Sequence, residues 1–390
     1  MSAELNPREL QWGAVNMGYK RSTVGVVLAC LAIAGCTNFG AQQVPADQFD
    51  YNKAIARSMQ EQMLLNVVRL HYFEAPVFLA VSSVVTQYAW QGTVGVAGQQ
   101  GFSIGAGLQA PSFVGGTASA LYGERPTITF LPIEGDDFSR RLMTPIPLDF
   151  VFALSEAGYP TDLLYRAGIG RINDVQNMAA GVPAPGDVER ELQAKMEVEN
   201  LTRFQNLISV ILKLQLYGAI EVQRREEDDK TQRFLVITAQ RGAEVAALVD
   251  EFRRLLSLDP ARNVFRITDR RMGRAVDEIT IQTRSVLQIM SFLAKGVEIP
   301  PEQWQQARLL GGQGLTADPG DGKSVPFRAR WSKERPSDAF VAAEYNGYWF
   351  SIANTDIESK RAFNLVIYLF RLLAPEEAAA APVLTLPSGP

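Results

Sequence analysis

The spacing of apolar residues changes period along the chain, and each change marks an element. Tyr51, Ile55, Met59, Met63, Val67 and Leu70 recur at intervals of three and four, which predicts a helix over Asp47 to Phe73 that Pro76 terminates. Past Val77 the pattern becomes β-like. Val84, Val85, Tyr88 and Trp90 are strand formers, and Val94 and Val96 alternate with Thr93, Gly95 and Ala97. Phe102, Ile104, Ala106 and Leu108 repeat the alternation after Gly98-Gln99-Gln100-Gly101, so two hairpins are expected, turning near Gln99 and near Pro111. A strand follows at Thr127 to Leu131, then a short helix from Gly135-Asp136-Asp137 to Met143, then helices at Leu148 to Ala157 and Pro160 to Ala167.

The stretch Gly181 to Gly186, with Pro183 and Pro185, reads as a domain boundary. Beyond it Leu201, Phe204, Ile208, Ile211 and Leu214 form a seam on a long helix, Asp187 to Tyr217, stopped by Gly218. A hairpin is expected over Ala219 to Arg225 and Arg233 to Thr238, with Glu226 to Asp229 as its solvated turn. A helix at Ala243 to Leu256, strands at Val264 to Thr268 and Glu278 to Thr283, and a helix at Ser285 to Lys295 come next. Asn346-Gly347 centres a hairpin from Phe340 to Ile352. Thr355 and Glu358 have capping-box spacing at the head of a helix from Asp356 to Leu373. The sum is an α+β protein: an N-terminal helix with a glycine-rich antiparallel β region, then a C-terminal antiparallel sheet packed with helices.

One apolar run lies outside this scheme. Lys20-Arg21 precedes Thr23 to Ala34, which is followed by Gly35 and Cys36, giving a basic region, an apolar core and small residues before a cysteine. The run is too short for a permanent span, which takes about 20 apolar residues. Leu31-Ala32-Ile33-Ala34-Gly35-Cys36 resembles the bacterial lipobox. That resemblance implies cleavage before Cys36, lipidation of its thiol and acylation of the new amino terminus. Each buried methylene of such chains contributes roughly 0.8 kcal/mol, so a multiply acylated Cys36 is a lasting anchor. Thr37 in the next position implies the outer membrane rather than retention in the inner one. Glu4 and Glu9 sit badly in a signal peptide, whereas a start at Met17 gives one of ordinary length. The expected layout is a signal peptide over 1–35, a lipidated tether over 36–48, a helix, glycine-rich β and helical domain over 49–180, an α+β domain over 187–373, and a tail over 374–390.

Composition then removes chemistry. The 390 residues carry a net charge of −4 with two cysteines and one histidine. Loss of 1–35 takes Cys30 with it and lipid consumes Cys36, so the mature body is left without thiol or disulfide chemistry. His71 ends an apolar helical stripe and reads as a packed, helix-terminal histidine. No cofactor and no metal site is indicated. Glu134, Asp136 and Asp137 are explained by a helix N-terminus, and basic clusters such as Arg270-Arg271 are too interspersed with acids for nucleic acid. Gly320-Asp321-Gly322-Lys323-Ser324 ends like a phosphate-binding loop, but Ala317 stands where that motif needs glycine. Ser359-Lys360 invites a catalytic reading, yet adjacent helical residues point about 100° apart. No catalytic residue is assigned.

Ala75 to Gly123 contains no Asp, Glu, Lys, Arg or His, and nine glycines fall between Gly92 and Gly123. Charge-free alternating strands can line a glycine-rich sheet or mobile loop packed on the protein's own body, or can cross an outer membrane at about 9–11 residues per strand. A chain with so few strands can close a barrel only in company with other copies. Three further segments resemble a family of uncharacterised bacterial envelope lipoproteins: Tyr51-Asn52 through Gln62 to Arg69-Leu70, Pro126-Thr127-Ile128 through Thr144-Pro145-Ile146-Pro147, and Trp349-Phe350 through Ser359-Lys360. The resemblance implies no activity. The expected role is that of a non-enzymatic assembly or interaction component of the envelope, facing the periplasm and held to the membrane through lipid on Cys36, with an envelope protein or its own copies as partner. The alternatives are an oligomeric outer-membrane pore built from hairpins in 75–123, and a periplasmic hydrolase using carboxylates.

Overall fold

The structure, a computed structural model, describes residues 39–99, 103–104, 108–109, 113–177, 187–227, 230–238, 242–269, 275–303 and 325–374. The chain divides into two units, Met1–Ile55 with Val84–Thr127, and Ala56–Ser83 with Ile128–Pro390. The architecture is α+β, as the sequence patterning predicts.

Helix α1 runs Phe39–His71. It begins eight residues before the predicted Asp47: Ala41, Gln42 and Gln43 are good helix formers, and the helix runs through Pro45, its seventh residue, at the loss of an intrahelical bond. Within Ala56–Ser83 its stripe is buried at Met63, Leu64, Val67 and Val68. The chain leaves the helix through Phe73, which adopts φ +61°.

The two hairpins expected in succession are instead nested. Strand β1 continues from Leu79 to Gln99 and pairs with β4, Phe113–Pro132, while the two-residue strands β2, Ser103–Ile104, and β3, Leu108–Gln109, pair with each other. Ser103 stands opposite Gln109 and Ile104 opposite Leu108, so β2 and β3 are nested inside the longer pair. Gly98, beside the expected turn at Gln99, is held in extended backbone within β1. The predicted turn at Pro111 lies outside the described residues.

Two further sheets make up the second unit. The larger has the order β6-β5-β10-β9-β8-β7, with β5 Ile169–Ile172, β6 Val175–Gln176, β7 Ile220–Glu227, β8 Lys230–Ile237, β9 Val264–Thr268 and β10 Glu278–Thr283. It takes β5 and β6 from before Gly181 and the other strands from after Gly186. It is not wholly antiparallel. Strand β10 is parallel to β9, with Ile279 beside Ile267. Strand β10 then pairs antiparallel with β5, Ile281 facing Ile172.

Helix α2 is the short Gly135–Phe138, and on this sheet lie α3 Leu148–Glu156, α4 Thr161–Gly168, α5 Asp187–Leu216 and α6 Ala243–Leu256. The α5 seam is buried at Phe204, Ile208, Ile211 and Leu214, and Gly218 takes φ +63° just past the helix end. The smaller sheet, order β11-β13-β12, comprises β11 Arg330–Ser332, β12 Ala339–Tyr345 and β13 Tyr348–Ala353. Asn346 and Gly347 both have positive φ in its tight turn, +48° and +77°. Helix α7 Val286–Ala294 carries a complete capping box between Ser285 and Gln288. Helix α8 Ile357–Leu372 is capped by Asp356 rather than Thr355, since the Asp356 carboxylate accepts from the Ser359 N–H at 3.0 Å and thereby displaces the expected Thr355–Glu358 box. Phe363 of α8 lies between Phe327 and Phe340, each at a ring-centre distance of 6.4 Å.

Candidate functional site

Strands β1 and β4, of 21 and 20 residues, are several times the usual strand length of about 5–6. Among the described residues they form a sheet of two strands only. Each therefore has one outer edge along which backbone donors and acceptors take no partner from that sheet. Residues of this pair between Ala75 and Gly123 include no Asp, Glu, Lys, Arg or His; Glu124 and Arg125 of β4 are the first charges.

In the second unit the root of the pair is fixed from below. The Ile133 N–H donates to the Phe78 carbonyl at 2.9 Å, and both side chains are buried. Phe78 also stacks on Phe370 of α8 at 4.8 Å. Asn66 of α1, fully buried, donates from Nδ2 to the Val77 carbonyl at 2.7 Å and accepts from the Val77 N–H at 2.9 Å. Beyond these anchors Ala80 of β1 still packs, half-buried, on the core, whereas the root of β4 is uncovered. Leu79, Ile128, Phe130 and Leu131 are 41–53% exposed, and every residue from Ile128 to Pro132 is exposed although neighbours on a strand face opposite ways. Neither face of β4 is covered at its root. The sequence carried a trace of this in Ile128-Thr129-Phe130-Leu131, where alternation fails.

The residues singled out from sequence are dispersed. Cys36, Gly320 to Ser324 and Arg270-Arg271 lie outside the described residues. His71 is buried, and its Nδ1–H donates to the Ala294 carbonyl at 2.7 Å, which leaves Nε2 buried without a partner. Burial pushes its pKa below 6.5, against the opposing effect of that backbone hydrogen bond. Ser359 Oγ donates to Asp356 at 2.7 Å and accepts from the Arg328 N–H at 2.8 Å, while Lys360 Nζ donates to Asn354. Serine and lysine thus face different partners and form no catalytic pair. Asp136 and Asp137 fall in the first turn of a short helix, Gly135–Phe138, that passes into a π-helical turn, Ser139–Met143. No group of His, Cys, Asp and Glu among the described residues is arranged to hold a metal ion.

A groove of about 920 Å³ opens between Pro145 to Leu148, β5, β10 and the head of α7. Arg284, which sequence reading did not single out, is buried in its wall and donates from Nη1 to the carbonyls of Arg166 and Ala167, both at 3.1 Å, at the end of α4. Desolvation lowers its pKa to about 10, so it stays a cation at neutral pH. Gln282, Thr283, Ser285 and Gln288 add hydrogen-bonding groups but no nucleophile-base pair.

No helix among the described residues is long and apolar enough to cross a membrane, a criterion that does not bear on β-strands. The chain matches no family model, and the searches of curated proteins and of solved structures return no similar protein.

Proposed function

We propose that the protein is a lipid-anchored component of the bacterial outer membrane that assembles into a ring, each copy contributing β1 and β4 to one shared transmembrane barrel. The observation that carries this reading is the pairing of two strands of 21 and 20 residues, through a charge-free stretch, in a sheet with no third strand. An isolated two-stranded ribbon is marginally stable in water, and exposed edges invite further pairing. The two outer edges of an antiparallel pair run in opposite directions. Strand β1 of one copy can therefore add to β4 of the next in the same antiparallel sense, a head-to-tail contact that closes into a ring. Closure satisfies every backbone group within the bilayer, as a span in lipid requires. A membrane-bound thioether lipid on Cys36 would hold the protein at the surface it must enter.

The test is the mass of the native lipidated protein in mild detergent, by light scattering with the detergent contribution subtracted, followed by conductance across a planar bilayer. A ring of many copies with discrete channels supports the reading. A monomer at every concentration overturns it and leaves the broader role, a non-enzymatic interaction component of the envelope. Val94→Asp places a charge in the barrel wall and should abolish channels while leaving the second unit folded, as read by near-ultraviolet circular dichroism.

A further inference from the structure

Resting on that reading, we infer that only about half of the ribbon's length enters the hydrocarbon: residues 89–99 of β1 and 113–123 of β4, with the bilayer boundary at Tyr88 on one strand and Glu124 on the other.

Length alone demands a division. A strand of 21 residues extends roughly 70 Å at about 3.3 Å per residue, whereas the hydrocarbon is about 30 Å thick and a tilted strand crosses it in about 9–11 residues. The chemistry of β4 locates the cut. Glu124 and Arg125 are the first charges after forty-nine charge-free residues, Ala75 to Gly123, and Pro126 follows them inside the strand. Proline has no N–H, so a β4 paired on both sides has one neighbouring carbonyl left unmatched at Pro126. In lipid that carbonyl is unsatisfied at a cost of several kcal/mol; in water a solvent molecule takes its place. Pro126 therefore belongs outside the hydrocarbon for a reason independent of charge. At the far end Pro111 precedes β4 and imposes the same limit. From the start of β4 to the charged pair, Phe113 to Gly123 gives 11 residues, which matches one crossing.

On β1 an equal length counted back from its end at Gln99 reaches Ala89. Tyr88 and Trp90 bracket that point, and Tyr122 lies one residue inside Gly123 on β4. Tyrosine and tryptophan are the residues enriched at the headgroup level of barrel walls.

The boundary is tested in the lipidated full-length protein, reconstituted in phosphatidylethanolamine–phosphatidylglycerol vesicles, with an environment-sensitive dye on single introduced cysteines. Thr93→Cys, Val94→Cys, Ala118→Cys and Ser119→Cys sample the inner segment, and adjacent positions cover both faces of each strand. Thr86→Cys, Gln87→Cys, Pro126→Cys and Thr127→Cys sample the outer one. Nitroxide-bearing lipid is expected to quench one dye of each inner pair several-fold and none of the outer four, which iodide quenches instead. Lipid quenching of the outer four to the level of the inner ones overturns the boundary and leaves the barrel standing. No lipid quenching at any position, in vesicles that retain the ring mass, overturns the barrel and the boundary with it. Val96→Cys and Ala120→Cys replace any inner variant that fails to assemble.

Discussion

Asn66 and Val77 form a closed two-bond exchange, the side-chain amide of one matching both backbone groups of the other at 2.7 and 2.9 Å. An asparagine at a helix position thus imitates a strand neighbour and holds the backbone just before β1. Such a pair is available only to a carboxamide, which offers a donor and an acceptor side by side.

Asn66→Leu should accordingly be strongly destabilising. It removes two buried hydrogen bonds and strands both backbone groups of Val77, worth roughly 2–4 kcal/mol together. Asn66→Asp keeps the acceptor but loses the donor and sets a carboxylate against the Val77 carbonyl. Urea unfolding should rank the wild type above both variants, and equal midpoints for all three chains would count against the arrangement.

His71 makes stability depend on acid. Its folded-state pKa lies below 6.5 because burial disfavours the charged ring, so the unfolded chain binds its proton first as pH falls. The stabilising contribution is complete above the unfolded value and is lost as pH drops from about 6.5 through the lowered folded value. His71→Gln retains a donor for Ala294 and does not titrate. Melting curves between pH 7.5 and 4.5 should show a shallower acid decline for this variant than for wild type.

Gly296 has no room for a side chain. A Cβ there would overlap the backbone carbonyl of Phe327, next to the bridge between Val297 and Ala329. Gly296→Ala must push the two backbones apart, at a cost of about 1–3 kcal/mol. A thermal shift of several degrees downward is expected; an unchanged melting temperature would show that the two segments lie further apart.

Cys36→Ala removes the thiol that the lipobox resemblance makes the site of lipidation. Intact-mass analysis of membranes should find acylated mature protein from the wild-type gene and only uncut precursor from the variant. Met17→Ala in the native gene should abolish expression if Met17 is the start.

The second unit was largely legible because its signals are local. Helix α6 and strands β9 and β10 have the boundaries that the apolar periodicity predicts, Ala243–Leu256, Val264–Thr268 and Glu278–Thr283. The cap of α8 was not legible, because Thr355 and Asp356 are both competent caps and only the geometry shows which carboxylate or hydroxyl reaches the Ser359 N–H. Strands β5 and β6 were missed for another reason. Ile169–Ile172 is short and depends for its shape on β10, a partner distant in sequence. The ribbon was read as two hairpins because glycine marks turns locally. Its single long pairing is a decision made between residues far apart.

The pairing of Ile172 with Ile281 sets an order of events for a chain that emerges from its N-terminus. Strand β10 is hydrogen-bonded to β5 on one side and β9 on the other, so the larger sheet has no middle until Thr283 has appeared. Leu79 to Pro132 is complete well over a hundred residues earlier. For that interval an adhesive pair of strands with charges only at Glu124 and Arg125 exists without the body that anchors its root, a period in which premature self-association competes with folding. The many glycines of its outer part then have a second meaning: they keep the nascent ribbon weakly sticky until its proper neighbours arrive.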